Sequence, residues 1–243
     1  MSEYREIYAS DQICIKLQAS ASIKMTTHFS SQHIEPAAIL SRKAQQMELE
    51  HRGRATQQII SEQKSYVTAA IFSAVSFLEA NINELFWDSA QNKSGLKDWD
   101  YNLMQRMEAA YRSRILDRAS FGTLEKYDLV LIFADKKVMD QGNAIYQNVK
   151  CLIRLRNCLI HYEPKWIDQG KAQELEKNLK GRFMLNPLVD ENSLFFPHRC
   201  LSHDCAKWAV ESCVSFTDTF YRKLNKTPRY ETRREYLDAY IKT

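Results

Sequence analysis

The sequence predicts an all-α protein, a helical bundle with a short N-terminal β-hairpin or extended segment, and three observations carry that prediction. Only six glycines and five prolines interrupt 243 residues. The long intervals between them are rich in helix formers, with apolar residues three and four apart, the spacing that lays a stripe along one side of a helix. The start alone differs: "ICIKLQASASIKM", Ile13 to Met25, alternates apolar and polar side chains with the period of a half-buried strand or hairpin. The expected organisation is an N-terminal extension over 1–34, a helical arm over 35–62 and a helical domain over 63–243.

Pro36 suits the first turn of the arm, which reads as a charged, solvated helix broken at Gly53. From Ser65 to Trp87, Val67, Ile71, Val75, Leu78, Ile82, Leu85 and Phe86 recur at helical spacing and mark the central core helix. Asp98 is expected to cap a helix from Trp99 to about Leu116, and a further helix is expected from Leu124 to about Val138. "DQGN" then breaks the chain before the helix that holds "CLIRLRNCLIHYEPKW", residues 151–166. Beyond Pro164, "DQGKAQELEKNLKG" reads as one short polar helix, followed by a loop with room for short strands between Pro187 and Pro197. Ser202 or Asp204 starts a last amphipathic helix through about Leu224, with Trp208, Val214, Phe216, Phe220 and Tyr221 as its apolar contacts. "RYETRREYLDAYIKT" is a basic, aromatic helical tail.

The totals narrow the function classes. Hydrophobic residues make up 44% and charged residues 26%, the composition of a folded chain that buries a core. A formal net charge of +4 is mild, so any nucleic-acid affinity has to come from local clusters. The longest uncharged stretch, Ser65 to Leu78, falls short of the roughly 18 apolar residues a membrane span needs, so no membrane partner is expected. "MSEYREIYASDQ" lacks the apolar centre and cleavage site of a secretory signal, which makes the cytoplasm the expected location and reduced thiols the expected state of the six cysteines. A glycine-rich phosphate loop is missing too, which argues against an NTPase, and no cofactor is expected.

The 151–166 stretch holds the anomaly. With about 100° per residue and Lys150 at zero, Leu155, Leu159, Leu152, Val149, Ile160 and Ile153 span an apolar arc from roughly 140° to 300°, and Arg156 falls inside it near 240°. Lys150, Arg154, Asn157 and His161 form a separate polar stripe within about 40° of zero. Pro164 disfavours helix at Glu163, placing His161 in the last turn, at the negative end of the helix dipole. A histidine there can act as general acid or base, and an arginine can hold a phosphate through two parallel hydrogen bonds. The same residues also suit a bland role, the arginine paired with a carboxylate and the histidine capping carbonyls. Arg156 and His161 point about 140° apart on an ideal helix, so one copy of this helix does not aim both at one point. Either the last turn distorts, or Arg156 reaches round, or two copies meet. Glu79 shares a strip with Phe72, Val75, Ile82 and Phe86, and is the candidate partner of Arg156.

"RNCLIH", Arg156 to His161, resembles the motif of the HEPN superfamily: an arginine, a polar residue directly after it, and a histidine separated from the arginine by four to six residues. The flanking "SFLEANINELF" and "NPLVDENSLFFPHRCLSHDCAKWAVESCVSF" look like helices of bacterial HEPN proteins, so the resemblance covers roughly Ser65 to Leu224. It implies a helical bundle that dimerises, bringing two motifs into one cleft, and a metal-independent endoribonuclease of toxin–antitoxin or antiviral systems. Carried over by position, Arg156 binds the scissile phosphate, Asn157 orients it, and His161 moves the proton, leaving a 2′,3′-cyclic phosphate. Lys150, Arg154 and Tyr162 are supporting candidates with Glu79. The expected partners are RNA, a second copy of the chain and an antitoxin or other defence protein. Some relatives carry a tyrosine two residues after the histidine; here Tyr162 follows directly, and that regulation is not carried over. Other members have lost catalysis, and the alternative reading is a non-catalytic dimeric module that binds a partner protein or nucleotide.

Three further groups stand out. His198, Cys200, His203 and Cys205 lie within eight residues, too tight a run for the two separated ligand pairs of most structural zinc sites, so no metal is expected. Cys151 and Cys158 read as packing residues. Arg112, Arg114 and Arg118 read as a solvated face, with a basic rim around the cleft as the other reading.

Overall fold

The computed structural model describes residues 4–8, 14–18, 27–91, 96–117, 121–164 and 173–241. Among the described residues, eight α-helices follow a small hairpin: α1 (Ser30–His51), α2 (Gln57–Gln91), α3 (Tyr101–Arg112), α4 (Thr123–Phe133), α5 (Ala144–Ile160), α6 (Glu174–Leu179), α7 (His203–Lys223) and α8 (Arg234–Ile241). The chain is predominantly all-α. In the hairpin, β1 (Tyr4–Tyr8) pairs antiparallel with β2 (Cys14–Gln18), Ile7 opposite Ile15. β2 falls in the alternating stretch read from the sequence, its partner lies upstream of that stretch, and the remainder of the stretch, 13 and 19–25, lies outside the described residues.

α2 is the axis of the bundle. Val67, Ile71, Val75, Leu78, Ile82, Leu85 and Phe86 are all buried, and α1, α3, α5 and α7 pack around it. By length and mean hydropathy this helix passes the test for a membrane span that the shorter Ser65–Leu78 stretch fails, and half of that apolar window is buried inside the bundle. The helix is apolar because it has neighbours on several sides.

The stretch expected as a solvated arm is corrected by α1, which buries Ile34, Ala37, Ala38, Ser41, Ala44 and Glu48 against α2 and α7. Small residues recurring every three to four positions let two helices approach closely while the outer face stays charged, so composition conceals the packing. Gly53, at φ +77, then turns the chain into α2, a left-handed conformation that costs glycine little.

Two other boundaries move. Asp100, rather than Asp98, caps α3 by accepting from the Leu103 amide at 2.8 Å. α4 stops at Phe133, five residues before the expected Val138, because Asp135 takes a left-handed turn (φ 53) and the Lys136 amide closes onto the Leu131 carbonyl at 2.9 Å. Between α6 and α7 the chain forms turns, with no strand among the described residues there. α7 begins as expected, Ser202 capping it through the Cys205 amide, and Phe216 and Phe220 present edges to the Tyr127 ring at 5.1 and 4.8 Å.

Most polar groups inside the bundle are bonded, with the Trp208 indole N–H and the Ser212 hydroxyl as exceptions among the described residues. Tyr127 donates its hydroxyl to the Leu78 carbonyl and accepts from the Asn81 amide, whose oxygen accepts from Tyr221. Glu48, at the end of α1, accepts from Gln63 and from the His203 amide at 2.6 Å each, and from His203 Nδ1 at 2.5 Å. Gln63 in turn accepts from Asn186, tying the loop before α7 to α2. Burial opposes charge on the His203 imidazole, but Glu48 and then Asp204 outweigh it and hold the group above the usual histidine range. At the other end of α2, Glu84 accepts from the amide and hydroxyl of Ser30, satisfying the start of α1. Asp88 there accepts from His28 at 2.9 Å and from Arg229.

Candidate functional site

Asn143 starts α5 by accepting from the Ile145 amide at 2.9 Å, and the helix runs to Ile160. His161 is its C-cap, its amide donating to the Asn157 carbonyl at 2.8 Å while its own φ/ψ of −107/51 has left the helix. The approaching Pro164 explains the stop, since it disfavours helical geometry in the residue before it. The polar stripe emerges as read: Lys150, Arg154, Asn157 and His161 are all exposed. On the opposite arc Val149, Leu152 and Leu155 are buried.

Arg156 projects from that apolar side toward α2 and donates to Glu79, with 19% of its side chain exposed against 41% for the carboxylate. The Thr123 hydroxyl, in the first turn of α4, lies 3.5 Å from the same Glu79 oxygen. The pair therefore sits at the rim where α2, α4 and α5 meet, half open to water. The arc is not dry throughout: Ile160, one turn beyond Arg156 on the same side, is 49% exposed. Within one chain Arg156 and His161 share no hydrogen bond among the described residues, in keeping with their divergent directions on the helix.

The remaining candidates are placed as follows. Arg154 pairs with Glu174 of α6 at 2.5 Å, and that hydrogen bond holds the guanidinium above its already high range. Tyr162 follows His161 with 53% of the residue exposed, its ring 6.0 Å from that of Phe196 and tilted by 43°. Arg112 bonds Glu108 and reaches the Ala90 carbonyl, at the end of α2 remote from Glu79, so it does not rim the Arg156 region; Arg118 lies outside the described residues. Cys151 is buried and its thiol faces the Asn178 carbonyl, while Cys158 is partly buried.

The four candidate metal ligands are each engaged separately. His198 accepts from Lys64, His203 faces Glu48 and Asp204, and Cys200 and Cys205 are fully buried thiols whose pKa burial pushes up, to about 12 for Cys200. Among the described residues no three histidine, cysteine or acidic side chains gather as a metal site. The Lys64–His198 bond escaped sequence reading, because 134 residues separate the two and neither stands in a motif. Compared with known proteins, the chain matches no family model, no curated protein and no solved structure.

Proposed function

We propose that this chain is a metal-independent endoribonuclease of HEPN type, a toxin or antiviral effector of the cytoplasm, working at a cleft shared by two copies of α5. The observation that carries the reading is the split between Arg156 and its neighbours. A guanidinium on the apolar side of α5 is held by Glu79, while Asn157 and His161 open to solvent at the end of the same helix. The half-exposed Ile160 lies beside Arg156 and gives a second copy an apolar surface to cover. In a symmetric pair, Arg156 of one copy and His161 of the other converge, which relieves the angular conflict inside one helix. Arg156 and Asn157 then hold the scissile phosphate. The RNA 2′-hydroxyl attacks phosphorus, forming the cyclic phosphodiester as the bond to the 5′-oxygen breaks. His161 takes the hydroxyl proton and a proton is returned to the departing oxygen. An antitoxin or other defence protein would act by separating or covering that pair.

A second reading, a non-catalytic HEPN-like dimer that binds a protein or nucleotide, draws on the Arg156–Glu79 bond itself, since a guanidinium held by a carboxylate already has a structural role. Incubation of labelled RNA with the pure protein in EDTA separates the two, with Arg156→Ala and His161→Ala beside the wild type and light scattering to follow the oligomer. Cleavage to 2′,3′-cyclic ends, lost in both variants with the dimer intact, is the expected result. A folded dimer that leaves RNA whole selects the binding module, and a monomer that cleaves removes the shared cleft.

A further inference from the structure

Lys64 is a cation whose partner is a neutral base. It lies in the first third of α2 with its amine 2.9 Å from His198 Nδ1, and among the described residues no carboxylate pairs with it. Burial holds the amine below the usual lysine range, and burial with the adjacent ammonium holds His198 below the usual histidine range. An ammonium in this state donates one hydrogen bond to the imidazole and keeps two N–H donors for an anion. His198 belongs to the turn Phe195–Arg199, whose buried Phe196 backs the Tyr162 ring. Gln173 pins that turn from below, accepting from the Phe196 amide at 2.7 Å and donating to its carbonyl at 3.2 Å. The Phe195–Arg199 turn thus links the exposed Tyr162 ring, next in sequence to His161, with a cation that no carboxylate pairs among the described residues.

We infer that Tyr162 and Lys64, linked by this turn, seat the single-stranded RNA flanking the scissile phosphate, with a base on the Tyr162 ring and a phosphodiester on Lys64. The inference rests on the RNA-cleaving reading of Arg156 and His161. A ring that is half exposed yet backed by another aromatic offers its face to any base without reordering, and an anion on Lys64 replaces the water lost by its burial. Single strands fit and duplexes do not, because a base reaches the ring only when unpaired.

The test uses full-length protein carrying His161→Ala, so that RNA is bound and not cut, with a fluorescein-labelled single-stranded RNA followed by anisotropy. Adding Tyr162→Ala is expected to weaken binding about 5- to 150-fold, the range of one lost base stack, and Tyr162→Phe to leave it unchanged. Adding Lys64→Met is expected to lower the slope of log affinity against log salt by about 0.7, one phosphate contact on a single strand. Unchanged affinity and slope in a parent that binds RNA overturn this seat while leaving the cleavage reading intact. Equal losses on a hairpin duplex overturn the base platform. A wild type that neither binds nor cuts RNA overturns both readings together.

Discussion

Glu48 and Glu79 are carboxylates on adjacent helices, each bonded to a basic side chain from far along the sequence, yet they sit in opposite environments. Glu48 is buried and both its oxygens are taken, by Gln63, the His203 amide and the His203 ring. Glu79 stands 41% exposed at a three-helix rim, with Arg156 and Thr123 on a single oxygen. A buried anion is tolerable only when every lone pair is answered, so the first arrangement is architecture, locking α1, α2 and α7 together. A rim pair contributes little to stability and can be exchanged for a substrate phosphate or a partner residue without unfolding the bundle. The contrast separates what this chain needs to fold from what it holds at its surface.

Removing Glu48 should break that contrast most severely. Glu48→Ala leaves His203 Nδ1 and the His203 amide without their acceptor, and Gln63 with the Leu201 carbonyl alone, and is expected to cost about 3–5 kcal/mol in urea or thermal unfolding. The same pair predicts a pH dependence. Because the folded state holds His203 above the usual histidine pKa, its contribution is fully present below the unfolded value near 6.5 and is lost as pH rises through the higher folded value. The urea midpoint of the wild type should therefore fall between pH 6 and pH 9 by more than that of His203→Asn, and parallel falls would remove this pair from the account.

Glu79→Ala should cost only about 1 kcal/mol of stability, yet abolish RNA cleavage by releasing Arg156 from its position. A melting temperature and an activity both equal to wild type would show that the rim pair does nothing. The smallest effect belongs to Arg154→Ala, which removes a surface-exposed pair with Glu174 and is expected to change stability by less than about 1 kcal/mol. A larger loss in denaturant titration would mean that α6 depends on that bond for its docking.

The core of the bundle was open to sequence reading wherever apolar side chains repeat at helical spacing, as in α2, α5 and α7. It was hidden in α1, where alanine and serine do the packing and a buried Glu48 looks like a surface residue. Helix ends were legible when a side chain caps them locally, as Ser202 does. They were not when the stop is a backbone event such as the left-handed turn at Asp135. Along α5 the angular reading separated the polar stripe from Arg156, and placed Glu79 on the strip that faces it. Helical angles alone overstated the burial of Ile160, because an arc on one helix says nothing of where its neighbours end. Lys64 and His198, like Glu48 and His203, meet only through the fold, and nothing local in the chain marks them.

Asp88 joins the two ends of the bundle in another sense. His28, just before α1, and Arg229, just after α7, both end on this one buried carboxylate, and Arg229 lies near Glu84 as well. In terms of the chain that is a clasp: the segments flanking α1 to α7 meet on one side chain of α2, while α8 continues beyond it and packs on α1 and α7. The run of helices from α1 to α7 is thereby closed on itself at one buried carboxylate.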